Sequence, residues 1–385
     1  MHRRSFIQTT ATTVATLGTG AWPLASLAAE EPITAKQITI GSTLALSGML
    51  GGAGKEHVAG INAAFAAVNA AGGIHGRTLR LVALDDAYAP QRTAENVRKL
   101  LADGNAFALM SIFGTANNAA IIPLIEKEGI PLVGPVTGAS SLRNKSQRFV
   151  FHVRPSYSDE TEHALSLMSK MGLRDMAVVY LDNPFGKEVL ADAQRVFGQL
   201  SMRPVGAFAL AGDGSNGEEI ARKVIESKAG GVFLATTGAA TTSFIVPLRA
   251  RMPALPIAGV SVAVIPTEFP KLGDGIKGVA VARVFPLADQ MKIGVVRTFQ
   301  AQMKAATGSQ GSGSALESWI NAQLLMEGLR RAGRDVTRDR LRSALASVRQ
   351  LELGDLTVGF AGSAPFVASS RVDMTVYGDK GRVIS

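Results

Sequence analysis

The stretch from residue 107 to 142 sets the tightest limit on what this chain can fold into. Residues 107–113 are a short apolar run that ends at Gly114-Thr115, and residues 117–127 then carry Ile121, Leu124 and Ile125 at helical spacing. A second apolar run, 130–133, closes on Gly134-Pro135, and Val136-Thr137-Gly138 opens the next loop. A strand, a helix and a strand in so little chain make a right-handed crossover, which lays the two strands parallel. The loops after their carboxyl ends then fall side by side, on the edge where open α/β sheets bind ligands. Glycine allows close backbone approach there, and threonine hydroxyls and helix-starting amides supply donors suited to a carboxylate.

The same rhythm continues on both sides. Residues 38–46 form an apolar strand ending at Ser47-Gly48, and the glycine-rich 51–54 leads into a helix with Val58, Ile61, Phe65 and Val68 on one face. A strand at 78–84 closes on Asp85-Asp86, which satisfies loop amides, and a helix spans 93–102. A strand at 149–153 runs into Arg154-Pro155-Ser156, where the chain leaves the first unit. A second series begins with the helix 159–171, whose Asp159, Glu160 and Glu162 favour the helix dipole. Strands follow at 176–181, 205–210, 231–235 and 257–259, the first ending at Asn183-Pro184-Phe185, the third at Thr236-Thr237-Gly238 and the last at Ser261. Amphipathic helices at 189–200 and 218–226 lie between them. From 279 to 285 the chain is strand-like and returns to the first unit, with helices at 292–303 and 315–331 around a Gly/Ser-rich loop. Strands at 355–360 and 372–377 and a hairpin turn at 378–381 complete the pattern. With 385 residues, 46% of them hydrophobic, there is material for two cores. The expected fold class is α/β, with two doubly wound parallel-sheet lobes.

The remaining features exclude more than they assign. Met1 to Ala29 carries Arg3-Arg4 ahead of an uncharged run and small residues at Ser26, Ala28 and Ala29. It resembles a twin-arginine export signal cleaved near Ala28 or Ala29, with a general secretory leader as the alternative. The net charge is +9, and losing Arg3 and Arg4 with the leader leaves +7. That surplus is spread widely, and its densest run, Arg330 to Arg342, reads as a solvated face; nucleic acid is not expected, because no aromatics interleave the arginines. The chain has no cysteine, so disulfides, thiol nucleophiles and lipid attachment are excluded. Gly212 to Gly217 spells G-x-G-x-x-G, yet no acid stands about 20 residues on to hold a ribose, so no dinucleotide and no other cofactor is expected. The five histidines are scattered, with His57 and His75 assigned to surface loops or helix faces, so no metal site is expected. There is no G-x-S-x-G elbow, and no catalytic residue is assigned. An exported hydrolase with a triad drawn from distant residues is the enzymatic alternative.

The order and spacing of Leu46-Ser47-Gly48, the Ala-Gly-Gly-Ile at 71–74, Asp85-Asp86, Glu128-Gly129-Ile130-Pro131, residues 135–138 and residues 183–186 resemble the type I periplasmic solute-binding proteins. The closest likeness is to the leucine/isoleucine/valine-binding branch that feeds ATP-binding-cassette (ABC) importers. The resemblance implies two lobes joined by a three-strand hinge, with residues 33–154 and 285–370 in lobe 1 and residues 155–284 and 371–385 in lobe 2. It implies a ligand enclosed by hinge closure, with Thr115, Asn117, Val136, Thr137, Gly138, Tyr157, Phe185, Thr237 and Ser261 around it. Read on their own, Thr115 and Thr137 are pocket donors before they are helix caps, Asn117 is as readily a cap as a ligand group, and Phe185 is as readily ordinary loop packing as pocket wall. The family's acid for a ligand ammonium aligns on Ser261, with Glu268 the nearest acid should the alignment slip, and family aromatics align on Thr237 and Ala53. A buried ammonium without a counter-charge is costly, so an aromatic or aliphatic acid is expected as ligand ahead of a branched-chain amino acid. The partner implied is an inner-membrane ABC permease, the location the periplasm and the state a monomer. A sensor of the same fold is the alternative.

Overall fold

The computed structural model describes residues 31–360 and 362–384, so the leader assigned to residues 1–29 lies outside the described residues. In order, β1 (Gln37–Leu44), α1 (Gly51–Ala70), β2 (Thr78–Asp85), α2 (Pro90–Ala102), β3 (Ala108–Met110), α3 (Thr115–Glu128), β4 (Leu132–Val133) and β5 (Val150–His152) build a first sheet with its helices. β1 is buried along nearly its whole length, as a strand covered on both faces must be. α3 starts directly after Gly114, whose φ of 104° only glycine adopts readily, and stops at Gly129 in the left-handed region.

The second series is α4 (Tyr157–Lys170), β6 (Asp175–Leu181), α5 (Pro184–Gln199), β7 (Arg203–Leu210), α6 (Gly217–Glu226), β8 (Gly231–Ala235), α7 (Gly238–Arg251), β9 (Ile257–Gly259), the single turn α8 (Phe269–Leu272) and β10 (Val279–Arg283). Local chemistry starts these helices where they start. Ser156 and Asp159 form a reciprocal capping box on α4, and Asn183 caps α5 just before Pro184. The chain then runs through α9 (Gly294–Thr307), α10 (Gly313–Ala332), α11 (Arg338–Ala346), β11 (Leu351–Glu352), β12 (Thr357–Val358), β13 (Phe366–Val367) and β14 (Asp373–Val376). α10 packs along α1 and carries the buried Trp319 into the first core.

The first sheet has the order β13-β5-β4-β3-β1-β2 and the second β14-β10-β9-β8-β6-β7. Every pairing in both is parallel except β10 with β14. The chain therefore passes between the sheets three times, after β5, after β10 and after β13. Two doubly wound lobes side by side are the architecture expected of the sequence.

Three local readings need correction. The segment from 279 was expected to return to the first unit as a strand; instead Val279 to Val281 pair with Ile257 to Gly259 in the second sheet, and the return follows Arg283. The strand expected at 355–360 shrinks to β12, half of a two-stranded hairpin with β11, and β13 supplies the first sheet's edge instead. His57 was placed on a surface. It is 2% exposed, because it points from α1 toward α10, where its Nδ1 meets Ser318 Oγ at 2.8 Å.

Candidate functional site

The loops that leave β1, β3 and β4 in the first sheet and β6, β8 and β9 in the second all follow carboxyl ends of parallel strands, and they meet in the gap between the lobes. Three adjoining spaces border that gap. A recess of about 280 Å³ lies between Ser47, Leu50 and Tyr88 of one lobe and Asn183 and Ala239 of the other. A neck of only about 10 Å³, walled by Thr115, Val136, Tyr157, Phe185 and Thr237, shares Tyr88 and Thr237 with it. A chamber of about 340 Å³ shares Phe113, Val136, Thr237 and Val262 with the neck and reaches the crossings, bordered by Val136, Arg154, Thr237, Ser261 and Glu317. Thr237 borders all three spaces.

The expected residues thus divide. Thr115, Val136, Tyr157, Phe185 and Thr237 are brought together around the neck, where the Tyr157 and Phe185 rings meet edge to face at 5.0 Å. Val136, Thr237 and Ser261 border the chamber. Thr137 is fully buried, and its Oγ1 lies 2.8 Å from Thr115 Oγ1 and accepts from the Ala139 amide. One hydroxyl hydrogen serves the threonine pair and the other remains available. Gly138 contributes its carbonyl, which accepts from the Tyr157 amide at 2.7 Å and so clips the start of α4 to the first lobe. Asn117 lies elsewhere. Its Nδ2 donates to Thr93 Oγ1 at 2.7 Å, turning the side chain into the first lobe toward α2, and it borders none of the three spaces.

The chamber's charge comes from residues that the sequence did not single out as a site. Arg154, 1% exposed, stands at the first crossing directly after β5. Its Nη2 donates to Glu160 Oε1 at 3.3 Å and to Ser261 Oγ, and its Nη1 lies 3.5 Å from Glu317 Oε1. Glu160 Oε2 in turn accepts from the Ser261 amide at 2.7 Å. Acids therefore do stand beside Ser261, supplied by α4 and α10 rather than by the second lobe's own loop. Glu268 is not among them, because it bonds Thr242 and Lys271 instead. Burial works against the Arg154 charge, but Glu317, Tyr157 and Glu160 outweigh it and hold the guanidinium above its ordinary pKa. Burial pushes the Glu317 carboxyl up against the pull of Arg154, and Tyr157 is raised to about 12 by burial. His57 is pushed down to about 3 by burial and by Arg154, so it faces the chamber neutral.

Several buried donors on the chamber wall have no hydrogen-bond partner among the described residues. They are Nε and Nη1 of Arg154, Nε of Arg283 and the hydroxyls of Thr237 and Thr375. Around them the wall is apolar, with Phe113, Val262, Val281 and Phe285. An apolar space with a few convergent donors suits a small molecule that has an acceptor-rich end and a hydrocarbon body. Among the described residues no three His, Asp or Glu side chains are grouped to hold a metal ion, and no helix is long and apolar enough to cross a membrane. Arg154 and Glu160 could have been suspected from the sequence. A charge beside a buried strand at a crossing, and an acid one helical turn on, can meet in a protein interior.

Comparison with known proteins follows the same line. The chain is 30% identical over 171 residues to a chemotactic signal transduction system substrate-binding protein of Halobacterium salinarum, covering 40% of each chain. It is 25% identical over 163 residues to the Leu/Ile/Val-binding protein of Escherichia coli K12, covering 42% of this chain and 44% of that one. The alignments thus span about two fifths of the curated relatives' length. Among solved structures, a substrate-binding periplasmic protein from Ralstonia solanacearum superposes with a TM-score of 0.84 at 29% identity, over 90% of this chain and 99% of that one. The family model described as periplasmic binding protein matches residues 37–367, which take in both sheets up to β13, and the chain belongs to that family.

Proposed function

We propose that this protein is the solute-binding component of an ABC importer, and that it captures a small carboxylate-bearing molecule in the inter-lobe cleft by hinge closure. An aromatic or aliphatic acid is preferred to a branched-chain amino acid. The observation that carries this reading is the set of buried donors without hydrogen bonds, on Arg154, Arg283, Thr237 and Thr375, around one largely apolar chamber. A carboxylate offers about four acceptor sites to such a set, and donors left unmatched in a protein interior are costly. Each Glu160 oxygen already accepts one hydrogen bond, from Arg154 and from the Ser261 amide, so its charge is committed first to Arg154.

The lobes are taken as residues 33–154 with 285–370 and residues 155–284 with 371–385, so that Arg154 stands on the boundary itself. The protein works as a monomer in the periplasm, after export and cleavage near Ala28 or Ala29, and hands its ligand to an inner-membrane permease without turning it over. The similarity to a signal-transduction binding protein favours a second reading of the partner, in which the closed form reports to a sensor. A transport assay in a deletion strain separates the two.

Isothermal titration with phenylacetate, hexanoate and leucine tests the ligand class. We expect the acids to bind and leucine to give no heat. Tight leucine binding with no acid binding overturns the proposal.

A further inference from the structure

One carboxylate already stands where the ligand's carboxylate is expected. Arg154 has five N–H donors, and its Nη2 serves Glu160 and Ser261. On the other side of the guanidinium Nη1 and Nε make no hydrogen bond, and Nη1 lies at an ion-pair distance of 3.5 Å from Glu317. That distance is long for a guanidinium and a carboxylate that are both almost wholly buried, because well-formed charge-assisted bonds are about 2.7–2.9 Å. Glu317 pairs with Arg154 through this one contact, and it borders the same chamber. Arg154 is anchored at the crossing by Glu160, whereas Glu317 comes from α10, a different element, and touches the guanidinium loosely.

We infer that Glu317 is a resident stand-in for the ligand's carboxylate, holding the Nη1 side of Arg154 until an entering acid drives it to take up a proton, and so sets affinity and ligand charge. This rests on the acid-binding reading above. One cation and two acids already meet here, and a ligand carboxylate would make three acids around one guanidinium. The site keeps its ligand-free net charge only if Glu317 takes a proton as the acid enters. A neutral Glu317 carboxyl also gains an O–H donor, which the ligand's second oxygen can accept. An acid with one charge and an apolar body fits. A dianion would bring a second charge into an apolar chamber beside the two acids.

The charged and titratable groups around Glu317 define what can answer to pH. They are Arg154 at the first crossing, Tyr157 and Glu160 on α4, and His57 on α1, with Arg283, Asp289 and Tyr377 farther along the chamber wall. His57, pushed down to about 3, and Tyr157 and Tyr377, both raised to about 12, hold one state between pH 5 and 8. Burial of Glu317 supports the same direction by favouring its neutral form.

The test is titration of the full mature chain with phenylacetate and hexanoate between pH 6 and 8, where both probes are almost fully ionised. In the wild type the affinity should fall as pH rises, by up to about tenfold per unit, the limit for uptake of one proton. Glu317→Gln should bind the acids at least about tenfold more tightly at pH 8, because a like charge is removed from the anion's side, and its profile should be flat. The pH series needs only the wild type, so the inference can fail even if the variant does not fold. Acid binding with no pH dependence in the wild type overturns it, as does a Glu317→Gln variant that folds and binds acids no better. If leucine binds instead, and Glu317→Gln abolishes it, Glu317 is the counter-charge for an ammonium, and both this inference and the acid-binding reading fail. If acids bind and only the predicted change is missing, the acid-binding reading stands and this inference alone falls.

Discussion

Two histidines show what burial does to a single side chain. His57 and His152 are 2% and 1% exposed, and both are pushed down to about 3, chiefly by burial, with Arg154 and Arg143 respectively adding to it. A folded pKa below the unfolded value means that the unfolded chain binds more protons, so stability is full above about pH 6.5 and falls as pH drops toward 3. Each histidine should contribute a loss of up to about 1.4 kcal/mol per pH unit within that window. Thermal unfolding measured from pH 7 to 5 should show Tm falling, and His57→Gln should make the fall shallower; a flat profile would contradict the burial. At this scale the sequence was informative where chemistry is local. Asp85 takes up the amides of Leu46, Ser47 and Ala87, as its place at a strand end indicates. It was silent where chemistry is assembled over distance. Arg154 and Glu317 are 163 positions apart, and Glu317 sits in a long helix where one more acid reads as a polar face.

Among elements, the contact between α1 and α10 depends on a missing side chain. A Cβ on Gly60 would stand 2.0 Å from the Ala315 carbonyl oxygen, which is backbone and cannot swing aside. Gly60→Ala should therefore cost about 2–3 kcal/mol or more through forced separation of the two helices. Gly198, in α5, meets nothing within 4 Å, and Gly198→Ala should stabilise by about 0.5–1 kcal/mol through helix propensity. Denaturant unfolding of the pair checks both signs in one experiment. The strand and helix rhythm was legible because each element packs its own apolar stripe. Ile61 and Phe65 of α1 are buried as the spacing indicated, with Val58 and Val68 half-buried. α7 went unread for the opposite reason. It buries Ala240, Thr241, Thr242, Phe244, Ile245 and Leu248 on more than one side and carries Pro247 inside, so no single stripe marks it. β13, two residues long, has too little sequence to announce itself.

Across the whole molecule, the lobes touch on the rim of the cleft as well as at the crossings. Ser141 of the first lobe donates through its amide and its hydroxyl to the two carboxylate oxygens of Glu188 on α5, at 3.0 and 2.6 Å. Leu50 reaches Gly238 on the other side of the gap. These contacts exist only while the lobes are together, so they bias the hinge without facing the chamber. Glu188→Ala should weaken ligand binding by about fivefold, the worth of roughly 1 kcal/mol of exposed hydrogen bonding. Stopped-flow measurement should place most of that change in the dissociation rate. Unchanged affinity would mean that the rim does not hold the lobes together.

The placement of the last two strands reaches into how the molecule comes into being. β13 borders β5 and β14 borders β10, so each sheet receives an outer member from the far end of the chain. A ribosome has to reach Val367 before the first sheet has its full complement, and Val376 before the second does. Neither half can be finished early and set aside, and biogenesis has to proceed as one late, joint event.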